Sequence, residues 1–310
     1  MLKIVELFAG IGAIRKAIIN LNIPHQVIDC VEIDNNCIKS YNQLYNTNYQ
    51  PQSVLNYKLK DEPVDILMHG SPCQDFSSAG HNKGGDKDSG TRSSLLFETI
   101  RIIKEAKYKP KWVIWENVKA VLNKRHKNAF YNYLKELEDL GYITKYAVLN
   151  ANDYGIPQKR ERLFAISCLD TNYFDFEDLP KSKPQSINHY LDNDVNSKYI
   201  VKQPSMLSRI GINVKIIDDY CYTITTKQQR APNAGIIKLD DGLYRYLTEK
   251  ECFRLMGFSD DDFNKLRIIY PDKENTTNLI LYQQAGNSIV VKLLELILNQ
   301  INQLNYGQKD

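Results

Sequence analysis

The chain has 310 residues, of which 43% are hydrophobic and 25% are charged, and its formal net charge at pH 7 is +3. This composition is typical of a globular protein and excludes an intrinsically disordered chain, while the length allows a single large α/β unit or a large domain with a smaller one. The small net charge neither requires nor excludes a nucleic-acid partner.

Short apolar or β-branched runs alternate with helical periodicity through the first half of the chain. The predicted strands are Lys3–Phe8, Gln26–Ile33, Val64–Gly70, Trp112–Trp115, Ile143–Leu149 and Arg162–Ser167. The predicted helices between them are Ala13–Leu21, Asn35–Tyr45, Ser93–Tyr108 and His126–Leu140. This alternation predicts an α/β protein with a Rossmann-like, doubly wound, mostly parallel sheet.

After Ser167 the pattern changes to Pro, Asn, Asp and Ser, with isolated strand-like pieces at Tyr222–Thr226 and Gly235–Leu239. A stretch of roughly 80 residues is too long for a loop in a compact domain, so it predicts a small second domain that is irregular or β-rich. Helical periodicity returns at Thr248–Met256 and Asn287–Leu304. We therefore predict a first, α/β domain at 1–167, a second domain at 168–245, and a C-terminal segment, 246–310, that returns to the first domain.

The chain shows no sign of export or of membrane insertion. No apolar run approaches the length of a membrane span, and Glu6 interrupts the N-terminal apolar stretch. The six cysteines are scattered without a Cys-x-x-Cys pair, which predicts reduced thiols. We expect a soluble, cytoplasmic protein with no membrane partner.

A glycine turn, Phe8-Ala9-Gly10-Ile11-Gly12, follows the first predicted strand and opens a helix. Such a turn brings a ligand close to the backbone, although a bare Gly-x-Gly is more often a packing feature. Glu32 ends the next strand and could accept hydrogen bonds from ribose hydroxyls. Ala13 and Arg15 follow where a dinucleotide site would place its third glycine, which disfavours NAD and leaves room for a cofactor without a pyrophosphate, such as S-adenosylmethionine.

A cysteine lies in the turn Gly70-Ser71-Pro72-Cys73-Gln74, directly after the apolar run 64–68. α/β enzymes keep their chemistry at this carboxyl edge of the sheet, so Cys73 is a candidate nucleophile, although a lone cysteine is more often inert. The following segment, Gln74–Arg92, is rich in Gly, Ser, Lys and Asp. It is either a plain surface loop or a lid, and its position after Cys73 favours the lid.

Six short motifs in this order resemble the DNA (cytosine-5)-methyltransferase family of bacterial or phage type, over nearly the whole chain. They are FAGIG at Phe8–Gly12, PCQ at Pro72–Gln74, ENV at Glu116–Val118, QKRER at Gln158–Arg162, RLMGF at Arg254–Phe258 and GNS at Gly286–Ser288. The resemblance implies a class I methyltransferase that moves a methyl group from S-adenosylmethionine to carbon 5 of a cytosine flipped out of duplex DNA.

The resemblance also implies the catalytic roles. Carbon 5 of cytosine is a poor nucleophile, so Cys73 would first add to carbon 6 as a thiolate. Glu116, with a pKa raised by burial, would protonate ring nitrogen 3. Arg160 and Arg162 lie on alternate residues of an extended piece, point the same way and would hold the carbonyl oxygen or the phosphate of the target nucleotide. The sequence identifies no residue as the base that removes the carbon-5 proton, and water is a candidate.

The expected cofactor site draws on six segments and contains no metal. Its residues are Phe8, Ala9, Gly10, Ile11, Gly12, Glu32, Ile33, Ser53, Pro72, Leu95, Asn287 and Ser288. The chain departs from the family at Pro51–Val54, where relatives carry an aspartate towards the adenine amino group. Gln52 or Ser53 is the candidate replacement.

A basic stretch, Asn196–Lys238, has seven Lys or Arg residues against two Asp, and Tyr199, Tyr220 and Tyr222 are interleaved with them. It is either a solvated face or a surface for phosphates and base edges. Thr223–Thr226 resembles the Thr-containing element of the family's recognition domain, although an ordinary hairpin also favours these residues. The expected DNA contacts are Gln74, Ser77, Arg92, Lys227 and Arg230.

Three other functions compete with this interpretation. The first is the same chemistry on tRNA. One branch of the family modifies tRNA and carries a Cys-Phe-Thr element, which Cys221-Tyr222-Thr223 partly resembles. A catalytically silent DNA-binding module would lack Cys73 or Glu116, and both are present. A nicotinamide oxidoreductase is disfavoured by the missing glycine. We expect a monomer on double-stranded DNA, with a possible cognate restriction endonuclease that acts separately.

Overall fold

The structure is a computed structural model that describes residues 1–71, 95–230 and 232–306. Its strands are β1 Leu2–Leu7, β2 His25–Val31, β3 Ile66–His69, β4 Trp112–Val118, β5 Tyr142–Asn150, β6 Gln158–Lys159, β7 Glu161–Leu169, β8 Cys221–Tyr222, β9 Ile237–Lys238 and β10 Tyr244–Arg245. Its helices are α1 Ala13–Asn20, α2 Asn35–Tyr45, α3 Leu96–Glu105, α4 Lys127–Asp139, α5 Pro204–Leu207, α6 Glu249–Met256, α7 Asp260–Ile269, α8 Leu279–Asn287 and α9 Val291–Tyr306. Within these three stretches, no helix is long and apolar enough to cross a bilayer.

Six strands form one sheet in the order β2-β1-β3-β4-β7-β5. The pairs β1–β2, β1–β3 and β3–β4 are parallel, whereas β7 is antiparallel to both β4 and β5. All strands of this sheet except β7 therefore point the same way, which confirms the mostly parallel α/β sheet. Since β2 and β3 flank β1 on opposite sides, the chain reverses its direction of travel at β1, and open α/β sheets bind ligands in the crevice at such a point.

Helices cover both faces of the sheet, so its strands are buried on both sides. Successive residues of a strand face opposite ways: Ile4 packs in the core that includes residues of α1 and α9, and Val5 in the core that includes residues of α3 and α4. The carboxyl edge of the sheet is left as the place where the loops can meet a ligand.

The region between β7 and α6 has little regular structure. The strand-like pieces predicted at 222–226 and 237–239 shrink to β8, which pairs in parallel with β6, and β9, which pairs with β10. The helix predicted at Asn287–Leu304 is wrong at its start, because Asn287 is the last residue of α8. Ser288 has extended backbone angles and separates α8 from α9. The three-part division of the chain stays a prediction.

A buried ion pair ties β10 to α6. The guanidinium of Arg245 donates two hydrogen bonds of 2.8 Å to the carboxylate of Glu251, and the two side chains are 5% and 0% exposed. Glu251 also accepts from the backbone N–H of Thr248 in a capping box and from that of Asp192. This one carboxylate therefore joins the irregular region to the C-terminal helices.

Removing Arg245 should destabilise the protein strongly. Arg245→Ala leaves the Glu251 carboxylate buried without a counter-charge, so we expect the free energy of unfolding to fall by about 3–5 kcal/mol in urea denaturation. Lys135→Ala on α4 is the control, because its ion pairs with Glu138 and Asp139 are exposed and should contribute little. Equal losses in the two variants would contradict the structural role of Arg245.

Candidate active site

A cleft opens at the carboxyl ends of β1, β3 and β4. Seven of the residues predicted to form the site line it, namely Phe8, Ala9, Gly10, Ile11, Glu116, Asn287 and Ser288. The predicted residues Pro72, Cys73, Gln74, Ser77 and Arg92, and with them the lid predicted at 74–92, lie outside the described residues. The structure thus brings the glycine turn, the acid of β4 and the end of α8 to one place.

The glycine turn bends sharply between β1 and α1. Phe8, Gly10 and Gly12 all have positive φ, at 54°, 55° and 79°. A Cβ on Gly12 would lie 2.6 Å from ring atoms of both Tyr41 and Tyr45, so no other residue fits there. Gly12 is therefore required by packing, while Gly10 lines the cleft.

Glu32 anchors this turn to the end of β2. Its carboxylate accepts from the backbone N–H groups of Gly10 and Asp34, both at 2.9 Å. Burial raises the pKa of Glu32, and these N–H groups oppose the rise. The carbonyl of Glu32 accepts from Gln52 N–H, which brings the segment before Ser53 beside it.

The other predicted cofactor residues have different surroundings. Ile33 is 69% exposed. The Ser53 hydroxyl caps a short turn by accepting from Leu55 N–H. Leu95 packs against the core beneath α3. None of the three lines the cleft, so their contact with a cofactor stays a prediction.

Glu116 is buried at the junction of β3, β4 and β7. Its Oε1 lies 3.2 Å from Nε of Arg162, and its Oε2 lies 3.6 Å from the position of a Cβ on Gly70. Burial raises the pKa of Glu116, while the charges of Arg162 and Arg160 lower it. The neighbouring Asn117 amide donates to the carbonyl of Ser71, which fixes the last described residue before Pro72. The predicted acid therefore sits in a protonation-favouring environment at the predicted strand end.

The two arginines expected to face the base have different partners. Arg162 pairs with Glu116, but Arg160 is only 2% exposed and donates to the carbonyl oxygens of Ile224, Gly286 and Ser288 at 2.8–3.0 Å. Because β6 pairs with β8, the chain at Arg160 passes between the irregular region and the end of α8. Arg160 thus binds backbone carbonyl oxygens of the protein, whereas the sequence analysis expected it to bind the carbonyl oxygen or the phosphate of the target nucleotide.

Glu6 is a cleft residue that the sequence analysis missed. It is 2% exposed and lines the cleft from within β1. Its Oε1 accepts a 2.6 Å hydrogen bond from the Tyr41 hydroxyl, and Oε2 has no hydrogen-bond partner among the described residues. Burial raises the pKa of Glu6 to about 7, opposed by Tyr41 and Arg15. The available sequence signal was a carboxylate flanked by the apolar residues Ile4, Val5 and Leu7 in β1.

The basic stretch is partly exposed and partly structural. Lys227 and Arg230 lie exposed on a turn after β8. Lys198, by contrast, pairs with Asp272 and its side chain is 3% exposed, and the buried Tyr199 donates to Glu249. Further exposed cations without an ion pair to any described residue are Lys202, Arg209, Lys215 and Lys238. The stretch therefore carries six cations that can meet anions.

Several known proteins are similar to this chain in sequence and in fold. The sequence matches the family model described as C-5 cytosine-specific DNA methylase over residues 2–216 and 181–303. The type II methyltransferase M2.ScrFI of Lactococcus lactis subsp. cremoris is 32% identical, over 97% of this chain and 99% of its own. The type II methyltransferase M.Bsp6I of Bacillus sp. (strain RFL6) is 31% identical, over 97% and 98%. The S. pombe Dnmt2 methyltransferase structure has a TM-score of 0.80 at 21% identity, over 99% and 100% of the chains, which shows a shared fold.

The raised pKa of Glu6 makes stability depend on pH. The folded protein holds this proton more tightly than the unfolded chain does, so the contribution of Glu6 is present at low pH and is lost as pH rises from 4.5 to about 7. Glu6→Gln cannot ionise. Its free energy of unfolding relative to wild type should therefore rise by about 3 kcal/mol across that interval, in urea denaturation at a series of pH values.

The control for Glu6→Gln is Glu138→Gln, an exposed residue of α4 whose side chain is 71% accessible. Its stability should follow that of wild type across the series. If the Glu6→Gln curve also ran parallel to wild type, the carboxyl of Glu6 would not be held protonated by burial.

Proposed function

We propose a specific reaction for this chain, which belongs to the C-5 cytosine-specific DNA methylase family and is a DNA (cytosine-5)-methyltransferase. In this reaction the protein transfers the methyl group of S-adenosylmethionine to carbon 5 of a flipped-out cytosine. The cytosine lies at a short, specific site in duplex DNA. The observation that carries the proposal is the buried Glu116 beside Arg162, on a cleft that the glycine turn also lines. A protonation-favouring carboxyl next to a cofactor-type turn suits attack on a cytosine ring.

The cleft fits S-adenosylmethionine in charge and in hydrogen-bonding capacity. This cofactor carries a sulfonium and an ammonium group, and Glu6 Oε2, which has no hydrogen-bond partner among the described residues, is a carboxyl oxygen on the cleft wall whose ionised form a nearby cation would favour. Glu32 already accepts two N–H bonds, and a carboxylate has about four acceptor sites, which leaves two for ribose hydroxyls. The end of α8, at Asn287 and Ser288, closes the cleft from the other side.

Each catalytic step has a proposed residue. S-adenosylmethionine supplies the electrophilic methyl group. The Cys73 thiolate adds to carbon 6, and Glu116 donates its proton to ring nitrogen 3, so that the ring becomes a nucleophile at carbon 5. Arg162, whose Nε lies 3.2 Å from Glu116, holds this carboxyl in place and is the proposed contact for the carbonyl oxygen of the base. After transfer, water removes the carbon-5 proton, Cys73 leaves carbon 6 as a thiolate, and the proton on ring nitrogen 3 returns to the Glu116 carboxylate.

The proposed DNA surface is the turn of Lys227–Arg230 together with the other exposed cations of the basic stretch. Lys and Arg side chains that contact DNA phosphates release counterions from the duplex, and this release increases the affinity of the protein for DNA. The two relatives named above are type II methyltransferases, which supports a role in a restriction-modification system, with the endonuclease a separate protein. We propose that the chain acts as a monomer.

The tRNA alternative receives no support from its one motif. Cys221 is fully buried in β8, and burial raises the pKa of its thiol far above the usual range. The residue is thus part of the core and presents no reactive thiolate. Methylation of tRNA remains an outcome that the experiment below distinguishes.

The function is tested with purified protein and S-adenosylmethionine labelled in its methyl group. Label should enter duplex DNA and not tRNA, bisulfite sequencing should place it on one recurring site, and a duplex with 5-fluorocytosine at that site should form a covalent adduct. Cys73→Ser should abolish transfer and adduct. Cys37→Ser is the matched control, because Cys37 also lines the cleft but burial raises its pKa and keeps it inert.

Three outcomes would overturn this proposal. Label in tRNA with none in DNA would show the wrong substrate, and an adduct on Cys37 would show the wrong nucleophile. Absence of label in both nucleic acids, with intact DNA binding, would identify a catalytically silent module.

Glu116→Gln tests the proton donor. The amide keeps the shape of the side chain but cannot protonate ring nitrogen 3, so turnover should fall by roughly 10²–10⁴-fold while cofactor affinity stays near wild type. The control is Glu161→Gln at the start of β7, whose exposed carboxylate pairs with Lys119 just after β4. Near-wild-type turnover of Glu116→Gln would remove this residue from the mechanism.

A further inference from the structure

Three separate segments of the chain meet at the side chain of Arg160. Its Nη1 donates to the carbonyl of Ile224 at 2.8 Å, and its Nη2 donates to the carbonyls of Gly286 and Ser288 at 3.0 and 2.8 Å. The last carbonyls of a helix have no partner within the helix and carry the negative end of its dipole. The guanidinium therefore satisfies the end of α8 and the segment after β8 at once.

Both backbone polar groups of Ile224 form hydrogen bonds with side chains. Its N–H donates to Oε1 of Gln158, while its carbonyl accepts from Arg160. Gln158 in turn donates to the carbonyl of Leu255 at the end of α6. Gln158 and Arg160 thus fix the position of the segment at Ile224 relative to the six-stranded sheet and to α6.

Close packing at Gly286 supports the same junction independently of Arg160. A Cβ there would lie 2.4 Å from the carbonyl carbon of Thr225 and 2.5 Å from the backbone nitrogen of Thr226. Only a glycine lets the two backbones approach this closely. The proposed DNA turn begins at the next residue, Lys227, and the proposed cofactor wall begins at Asn287.

We propose that Arg160 is a positioning residue which locks the Lys227–Arg230 turn to the Asn287–Ser288 wall, so that the binding of DNA and the binding of cofactor strengthen each other. The inference rests on the proposed function. A ligand on either side favours the one arrangement in which the three carbonyl oxygens converge on the guanidinium, and such coupling is reciprocal by linkage. A lysine keeps the charge but cannot reproduce the planar fork that reaches all three oxygens.

The test measures DNA affinity with and without S-adenosylhomocysteine, the demethylated product, on a duplex carrying the site mapped by bisulfite sequencing. In wild type the product should tighten DNA binding at least about fivefold. In Arg160→Lys the ratio should fall to near one although each ligand still binds alone. Arg230→Ala is the control, since it should weaken DNA binding and keep the wild-type ratio.

A second measurement needs no variant, in case Arg160→Lys does not fold. In wild type, S-adenosylhomocysteine alone should slow hydrogen exchange at Lys227–Arg230, and duplex alone should slow it at Asn287–Ser288. A wild-type ratio preserved in Arg160→Lys, or exchange effects confined to each ligand's own side, would overturn the inference. Failure of wild type to bind any duplex would instead overturn the proposed function, together with the coupling built on it.

Discussion

The buried guanidinium of Arg160 is the contact on which the site depends, because it joins parts of the chain that the sheet alone would leave apart. The carbonyls of Ile224, Gly286 and Ser288 all point at it. Without the cation, three buried acceptors would lose their partner, at a cost for each that exceeds the net gain of an ordinary hydrogen bond. The cleft wall and the basic turn thus share one anchor.

Three carboxyl groups with different partners lie in or beside the cleft, with Glu32 bound to the cleft residue Gly10. Burial raises the pKa of Glu6, Glu32 and Glu116 alike. Glu6 has a tyrosine hydroxyl, Glu32 two backbone N–H groups, and Glu116 an arginine. The three acids therefore differ in their local surroundings, although burial acts on all of them in the same direction.

The position of the cleft follows from sheet topology rather than from any single motif. The connection after β1 leads to β2 on one side, and the connection after β2 crosses back to β3 on the other side of β1, so the loops diverge and leave a crevice. The glycine turn occupies this crevice, and the antiparallel β7 brings Arg162 beside Glu116 from the opposite strand direction. A pattern of alternating strands and helices predicts the crevice but not the pairing across it.

The sequence by itself determined the sheet, the glycine turn and the candidate acid, because period-2 and period-3.6 patterns and turn residues act locally. It missed α7 despite the capping box of Ser259 and Asp262, and it placed Asn287 at the start of a helix instead of the end of α8. Only the tertiary structure decided the partners of Arg160 and the burial of Glu6, since a side chain's surroundings depend on segments more than 60 residues away, such as Ile224. Long-range packing decides which charged residues face a ligand and which hold the backbone together.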